Sequence, residues 1–346
     1  MVVVPSLTDG DDSASATSAT VGSAKATAAS HQGKVVSRSA VRTLRHPRRA
    51  APQDNDQARA AALRIERREA RELAREKRRK ARLLRIKREK KRLARLAKMR
   101  KVSTFRVGAL NILGSQHTRG KGRYGPGTTR AAISAGIIAA RGVDVVTLSE
   151  VQDDQLAVLN NRMGGYSIWP QHALGSNGQR LQIAWRSSRF EMVDGGSVSF
   201  PFDRQSIPLP YVRLRDRSTQ AEFWVLSVHN SARDLEGERD AATAIQISLM
   251  RRLMEESGKP VLIGGDVNEH EEFFYKVCQS LGFLAANGGG PGCALPPRPL
   301  RVDWIMGGGG AGVDFSGYVQ DGSTLAQASD HYFIHADVSV TDPGEQ

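Results

Sequence analysis

The sequence predicts an α+β fold: a four-layer α/β/β/α sandwich of two packed mixed sheets, preceded by a disordered tail and a long basic helix. Three observations carry that expectation. Strand-like and helix-like segments mix from residue 103 onward, with too many consecutive strands for a doubly wound sheet. Charge is divided unevenly, with 28 Lys+Arg against 10 Asp+Glu (net +18) in residues 1–101 and 22 against 26 (net −4) in residues 102–346. The 245 residues of the second part are enough for one large core.

Residues 1–52 are rich in Ser, Ala, Thr and Gly, with a late basic cluster (Arg42, Arg45, Arg48, Arg49) and few large apolar side chains. Burial there cannot offset chain entropy, so this segment is expected to be a disordered tail. Val2-Val3-Val4 is cut short by Pro5 with no basic residue ahead of it, and Arg48-Arg49 is followed by Ala-Ala-Pro-Gln. Neither a secretory nor a twin-arginine signal is supported, which leaves a cytoplasmic address as the default and export without a recognisable signal peptide as the alternative. Residues 53–101 contain no Pro or Gly and are filled with good helix formers, predicting a helix of roughly 70 Å. Glu76 and Lys80 are a correctly oriented i, i+4 pair. The apolar residues hold no heptad seam, so a coiled coil is weakly supported. The positive surplus suits nucleic-acid phosphates first and an anionic membrane surface second, against the plainer role of a solvated spacer. No apolar run approaches the roughly 18–20 residues that span a bilayer.

Residues 102–346 are expected to form one domain, acting as a monomer. Strands are predicted at 105–111, 143–149, 181–185, 190–198, 211–217, 222–228, 260–264, 302–306, 313–319 and 331–340, where apolar alternation or short buried runs end in polar, Pro or Gly breaks. Helices are predicted at 128–141, from Asp153, at 234–256 and at 269–281. Cys278 and Cys293 would form one bridge in an oxidising compartment and two ordinary thiols in a reducing one.

Polar residues recur just after apolar strands, where a sheet delivers them to one rim. Asn111, Glu150, His229, Asp266 and Asn268 each follow such a run, Asp303 stands beside Trp304-Ile305, and Asp330-His331 precedes the last strand. Hard oxygen donors of this kind suit Mg2+ or Mn2+, and a neighbouring His supplies a proton acceptor or donor near neutral pH. Taken singly, Asp266 and Asn268 would serve more readily as a turn and cap before a helix. His117, His172, His270 and His335 lack comparable context and are expected to be structural, and Arg180 and Arg213 are weak candidates for phosphate contact.

Ala-Leu-Asn111-Ile-Leu, Thr-Leu-Ser-Glu150, Gly265-Asp266-Val267-Asn268, Val302-Asp303-Trp304-Ile305 and Ser329-Asp330-His331 occur in the order of the endonuclease/exonuclease/phosphatase superfamily, with His229-Asn230 between the second and third. The resemblance spans about residues 103–340, and Asn111-Ile-Leu-Gly-Ser-Gln-His-Thr118 is similar to the first motif of small bacterial members. It implies a metal-assisted phosphodiesterase or phosphatase. Asn111, Glu150 and Asp330 would hold a divalent metal, and Asp266 would position or deprotonate the attacking water. His331, oriented by Asp303, would act on the water or the phosphate. Asn268 would donate to phosphate oxygens, Asn230 would assist in binding phosphate, and His229 would add a second contact or an acid function. Ser149 departs from the Gln that many members carry before the metal Glu.

Glu269-His270 after Asn268 and Arg301-Val302 before Asp303 do not resemble the inositol polyphosphate phosphatases, nor does Ala109-Leu110 fit the AP endonucleases. A sphingomyelinase-like action needs an apolar docking loop, for which Phe200-Pro201-Phe202 is a short candidate. The basic arm tips the expectation toward a DNA endonuclease of low sequence specificity. A lipid phosphodiesterase is second, and a catalytically silent polyanion-binding protein third.

Overall fold

A computed structural model describes residues 53–118 and 124–344. The expected disordered tail, residues 1–52, lies outside them. Helix α1 runs Gln53–Ala97. The sequence places its end at residue 101, but strand β1 (Lys101–Asn111) begins there instead, because its ladder with the last strand extends outward to the Lys101–Asp342 pair. The described side chains along α1 are exposed, and its ion pairs include Arg68–Glu72 at 3.0 Å and the expected Glu76–Lys80 at 2.7 Å. Such surface pairs contribute little. No helix among the described residues is long and apolar enough to cross a membrane.

After β1 the order is α2 (Gly127–Ala140), β2 (Val145–Ser149), α3 (Asp153–Arg162), β3 (Tyr166–Trp169), β4 (Leu181–Arg186), β5 (Phe190–Phe202), β6 (Gln205–Asp216) and β7 (Glu222–His229). There follow α4 (Glu236–Ser257), β8 (Pro260–Asp266), α5 (Glu271–Leu281), β9 (Leu284–Ala285), β10 (Asp303–Gly309), β11 (Val313–Asp321) and β12 (Phe333–Asp342). The strands form two six-stranded mixed sheets, ordered β11-β12-β1-β2-β4-β3 and β5-β6-β7-β8-β10-β9. Strand alternation sorts the core into layers. Phe105, Val107 and Ala109 of β1 pack between the sheets, with the stacked ring of Phe223 4.7 Å from that of Phe105. Leu110 points the other way, among the residues of α2 and α3, and α4 and α5 cover the second sheet. The four-layer sandwich is as the sequence predicts.

Strands β3 and β9 escape the sequence because they are four and two residues long. The β5–β6 hairpin is also longer than its apolar runs suggest, continuing through Pro201, Pro208 and Pro210. Pro208 and Pro210 fall on the stretch of β6 that β7 does not pair, where a missing N–H breaks no ladder. The hairpin therefore overhangs the sheet. Cys278 of α5 is disulfide-bonded to Cys293 in the following loop, with 5.6 Å between Cα atoms.

Each sheet contains one parallel pair, β1–β2 and β7–β8, made by a helical crossover. The sheets approach closely beneath the carboxyl ends of these pairs. A Cβ on Gly264 would meet Thr147 Oγ1 at 2.8 Å and Ala109 Cβ at 3.5 Å, so small residues set that spacing.

Candidate active site

Strand register assembles the site. In the second sheet His229 is the ladder partner of Asp266, and Asp266 is the partner of Asp303, so three of the expected residues form one rung across β7, β8 and β10. Gly265 makes the rung feasible: it sits at φ 146°, where a Cβ would lie 2.0 Å from the Val228 carbonyl oxygen. In the first sheet Asn111 pairs with Ser149. Glu150 then leaves β2 at φ 62°, a left-handed conformation that costs a non-glycine residue of order 1 kcal/mol or more. That turn carries its carboxylate toward Asn111.

Asn111 joins the two sheets. Its Nδ2 donates to Glu150 Oε1 at 2.9 Å and to Asp266 Oδ2 at 3.1 Å, while Oδ1 accepts from the Leu113 N–H. His229 Nε2 lies 3.4 Å from Asp266 Oδ2 and 4.0 Å from Glu150 Oε1. His331 presents Nδ1 to Asp303 Oδ2 at 2.9 Å and Nε2 toward Asp266 Oδ2 at 3.6 Å. The turn before it is fixed by Ser329, whose hydroxyl donates to the Asn111 carbonyl at 2.6 Å. Glu150, His229, Asp266, Asn268, Asp330 and His331 all face one open cavity of about 710 Å3.

The electrostatics follow from burial and these contacts. Burial alone would raise the Glu150 carboxyl, but hydrogen bonds from His117, Asn111 and Gly114 and the nearby His229 hold it well below its ordinary value. Asp266 is held down in the same way, burial being outweighed by His229, His331 and Asn111. Burial opposes charge on His331, yet Asp303, Asp266 and Asp330 push its pKa up to about 10. His229 is also raised against its burial, chiefly by Asp266. Asp303 is pulled upward by its own burial, although the His331 imidazolium opposes this.

The residues fit a divalent cation. Among the described residues, no Lys or Arg makes an ion pair with Glu150, Asp266, Asp303 or Asp330. Asp303 Oδ1 is buried without a hydrogen-bond partner. Hard carboxylate donors without a Lys or Arg partner suit Mg2+, Mn2+ or Ca2+. Asp266, Asp303 and His331 place donor atoms within 4.8 Å of one another and could hold an ion. That group differs from the Asn111, Glu150 and Asp330 set expected from the sequence, and the Asp303–His331 hydrogen bond already engages two of its members.

Asn230 corrects the sequence reading. Its side chain is fully buried, accepting from Gln246 Nε2 at 2.6 Å and donating to Thr243 on α4, so it does not reach the cavity as a phosphate ligand. Its carbonyl instead accepts from Asn268 Nδ2 at 2.9 Å and orients that side chain, which does line the cavity. His117, expected to be structural, contacts Glu150 Oε2 through Nε2 at 3.1 Å and lines the cavity. Its spacing just past Gly114 was the available signal. Arg213 packs over Trp224 and pairs with Glu222, whereas Arg180 lines the cavity.

Arg130 gave no sequence signal at all. It is 0 % exposed, and its guanidinium donates to carbonyls of Ile112, Leu113, Gly125 and Ala328, clamping the segment after Asn111 to the turn before Asp330.

The family model of the Endonuclease/Exonuclease/phosphatase family matches residues 109–331. The human nocturnin catalytic domain with bound sulfate superposes with a TM-score of 0.55 and 18% identity, over 70% of this chain and 97% of that one. A mannosyl-6-phosphatase of Bacteroides thetaiotaomicron gives 0.53 at 15% identity, over 68% and 99%. D. rerio TDP2 complexed with single strand DNA product gives 0.51 at 17% identity, over 68% and 99%. No curated protein matches the chain.

Proposed function

The chain belongs to the endonuclease/exonuclease/phosphatase family, whose members are metal-dependent phosphoric ester hydrolases, and on that premise we propose that it is an endonuclease of low sequence specificity acting on DNA. One observation carries the choice of substrate. Helix α1 bears 18 Lys and Arg against 7 Asp and Glu along a 45-residue helix, next in the chain to a catalytic part of net charge −4. A basic tether of this kind raises the local concentration of a polyanion and makes its binding strongly salt-dependent.

Asn111, Glu150 and Asp330 would hold Mg2+ or Mn2+, which supplies Lewis-acid stabilisation to a phosphate oxygen when bound. Asp266, kept ionised between two imidazoles, accepts the proton of the attacking water. His331, kept cationic by Asp303, donates through Nε2 to a non-bridging oxygen, and Asn268 adds a neutral donor. His229, also held protonated, is placed to give a proton to the leaving oxygen. The DNA-bound state of TDP2 supports the reading by fold alone.

The lipid alternative loses its docking loop. Phe200 is in the core, and Phe202 is half-buried and packed on His229 at 4.7 Å between ring centres.

The test is nicking of supercoiled plasmid by the full-length protein with Mg2+, with EDTA, and as His331→Ala. EDTA should abolish nicking, and the substitution should lower it about 10^3-fold. A fragment beginning at Met99 should nick more weakly and with a shallower salt dependence. No nicking by folded, Mg2+-binding protein would overturn the proposal.

A further inference from the structure

The overhanging β5–β6 hairpin takes no part in the chemistry above, yet its tip forms part of the cavity wall. Phe202 and Gln205 are its last ladder pair, and the two turn residues, Asp203 (φ 48°) and Arg204 (φ 60°), are left-handed as a tight two-residue hairpin requires. The tip is latched down. The Asp203 N–H donates to Ser231 Oγ at 2.9 Å, the Arg204 N–H donates to Glu238 Oε1 at 3.0 Å, and Ser231 Oγ donates to Glu238 Oε2 at 2.6 Å. These bonds fix Phe202 beside the reacting centre, 4.7 Å from the His229 ring, with part of its surface open to the cavity.

Arg180 completes the wall. Its guanidinium carbon lies 6.0 Å from the centre of the Phe202 ring, and among the described residues it makes no ion pair. A phosphate alone gains nothing from an aromatic ring at this place. A planar π-bearing group attached to that phosphate does, because aromatic rings and guanidinium planes are surfaces on which bases stack whatever their identity.

We infer that Phe202 and Arg180 form a stacking subsite for the nucleobase next to the scissile phosphate. The inference rests on the nuclease reading and names what the site grips besides phosphate. It also accounts for weak sequence preference, since stacking uses the π-face that every base has.

The experiment compares two substrates with the full-length protein and Mg2+: a single-stranded DNA oligonucleotide, and an oligomer of the same length built of abasic tetrahydrofuran units. Phe202→Leu keeps the apolar volume and removes the ring, and Arg180→Gln removes the guanidinium. Phe202→Leu should lower kcat/KM on the ordinary oligonucleotide by about tenfold to a hundredfold and leave the abasic rate near that of wild type, and Arg180→Gln should cost more on the ordinary oligonucleotide than on the abasic one. Phe202→Trp should restore the ordinary rate, which marks the ring rather than general packing as the cause. Equal losses on both substrates would mean that Phe202 only supports His229, and would overturn the inference while the nuclease reading stands. Wild type that nicks plasmid but cleaves neither oligomer would overturn the inference alone, and wild type that also fails to nick plasmid would overturn both.

Discussion

The two ends of the central strands treat buried charge in opposite ways. Asp144 precedes β2 and Glu150 follows it, about 20 Å apart along the strand. Asp144 is paired with Arg189 at 3.0 Å and Arg186 at 3.4 Å, whereas Glu150 has only histidine, amide and backbone partners. Lys259 precedes β8 and Asp266 ends it. Lys259 Nζ binds the fully buried Asp342 at 2.7 Å, whereas Asp266 faces two imidazoles. One end closes its charges with Lys and Arg and stabilises the fold. The other leaves carboxylates without Lys or Arg, a demand that a divalent cation would meet.

The largest expected effect tests the closed end. Lys259→Met leaves the Asp342 carboxylate buried without its cation, and chemical denaturation should show a loss of about 3–5 kcal/mol. Nicking by the folded fraction should be unchanged. A fall in turnover at equal folded fraction would blur the division between the two ends.

At the open end, Mg2+ should raise the melting temperature, with a gain equivalent to about 2.7 kcal/mol at a hundredfold excess over Kd. Glu150→Gln should lose most of that gain and Lys259→Met should keep it, as scanning calorimetry with and without EDTA would show. An equal gain in both variants would move the metal away from Glu150.

The smallest effect concerns pH. Burial would raise the Asp216 carboxyl, but hydrogen bonds from Ser103, Ser218 and Thr219 outweigh it and hold it below 3.8. A depressed folded pKa gives stability that is complete above the unfolded value and lost as pH falls through the folded one. Asp216→Asn should therefore cost about 1–2 kcal/mol near pH 7, and the gap from wild type should close below pH 3.8. A gap that stays constant with pH would assign the cost to packing rather than charge.

Legibility in the sequence followed the kind of signal each residue gave. Asn111, Glu150, His229, Asp266, Asp303, Asp330 and His331 stand at strand ends in a fixed order, and hydrophobic runs announced those ends. Asn230 shared that context and misled, because sequence position cannot tell which side of a strand end faces α4. His117, Arg130 and Phe202 sit on a turn, a helix and a hairpin overhang. Their importance comes from what lies across from them, at separations of 33 residues for His117 and Glu150 and 27 for Phe202 and His229.

The sequence by itself determined the alternation of apolar and polar residues that makes two sheets, the glycines that allow tight approach at Gly264 and Gly265, the charge divide near residue 101, and the chemical types gathered at one rim. Only the tertiary structure decided which carboxylates go without Lys or Arg, how Asn111 links the sheets, and that Phe202, beside the hairpin turn, packs inward onto His229. The physical reason is range. Periodicity and propensity act over a few neighbouring residues, whereas electrostatic pairing and close packing depend on through-space distance, which the chain fixes only when its register and crossovers are complete.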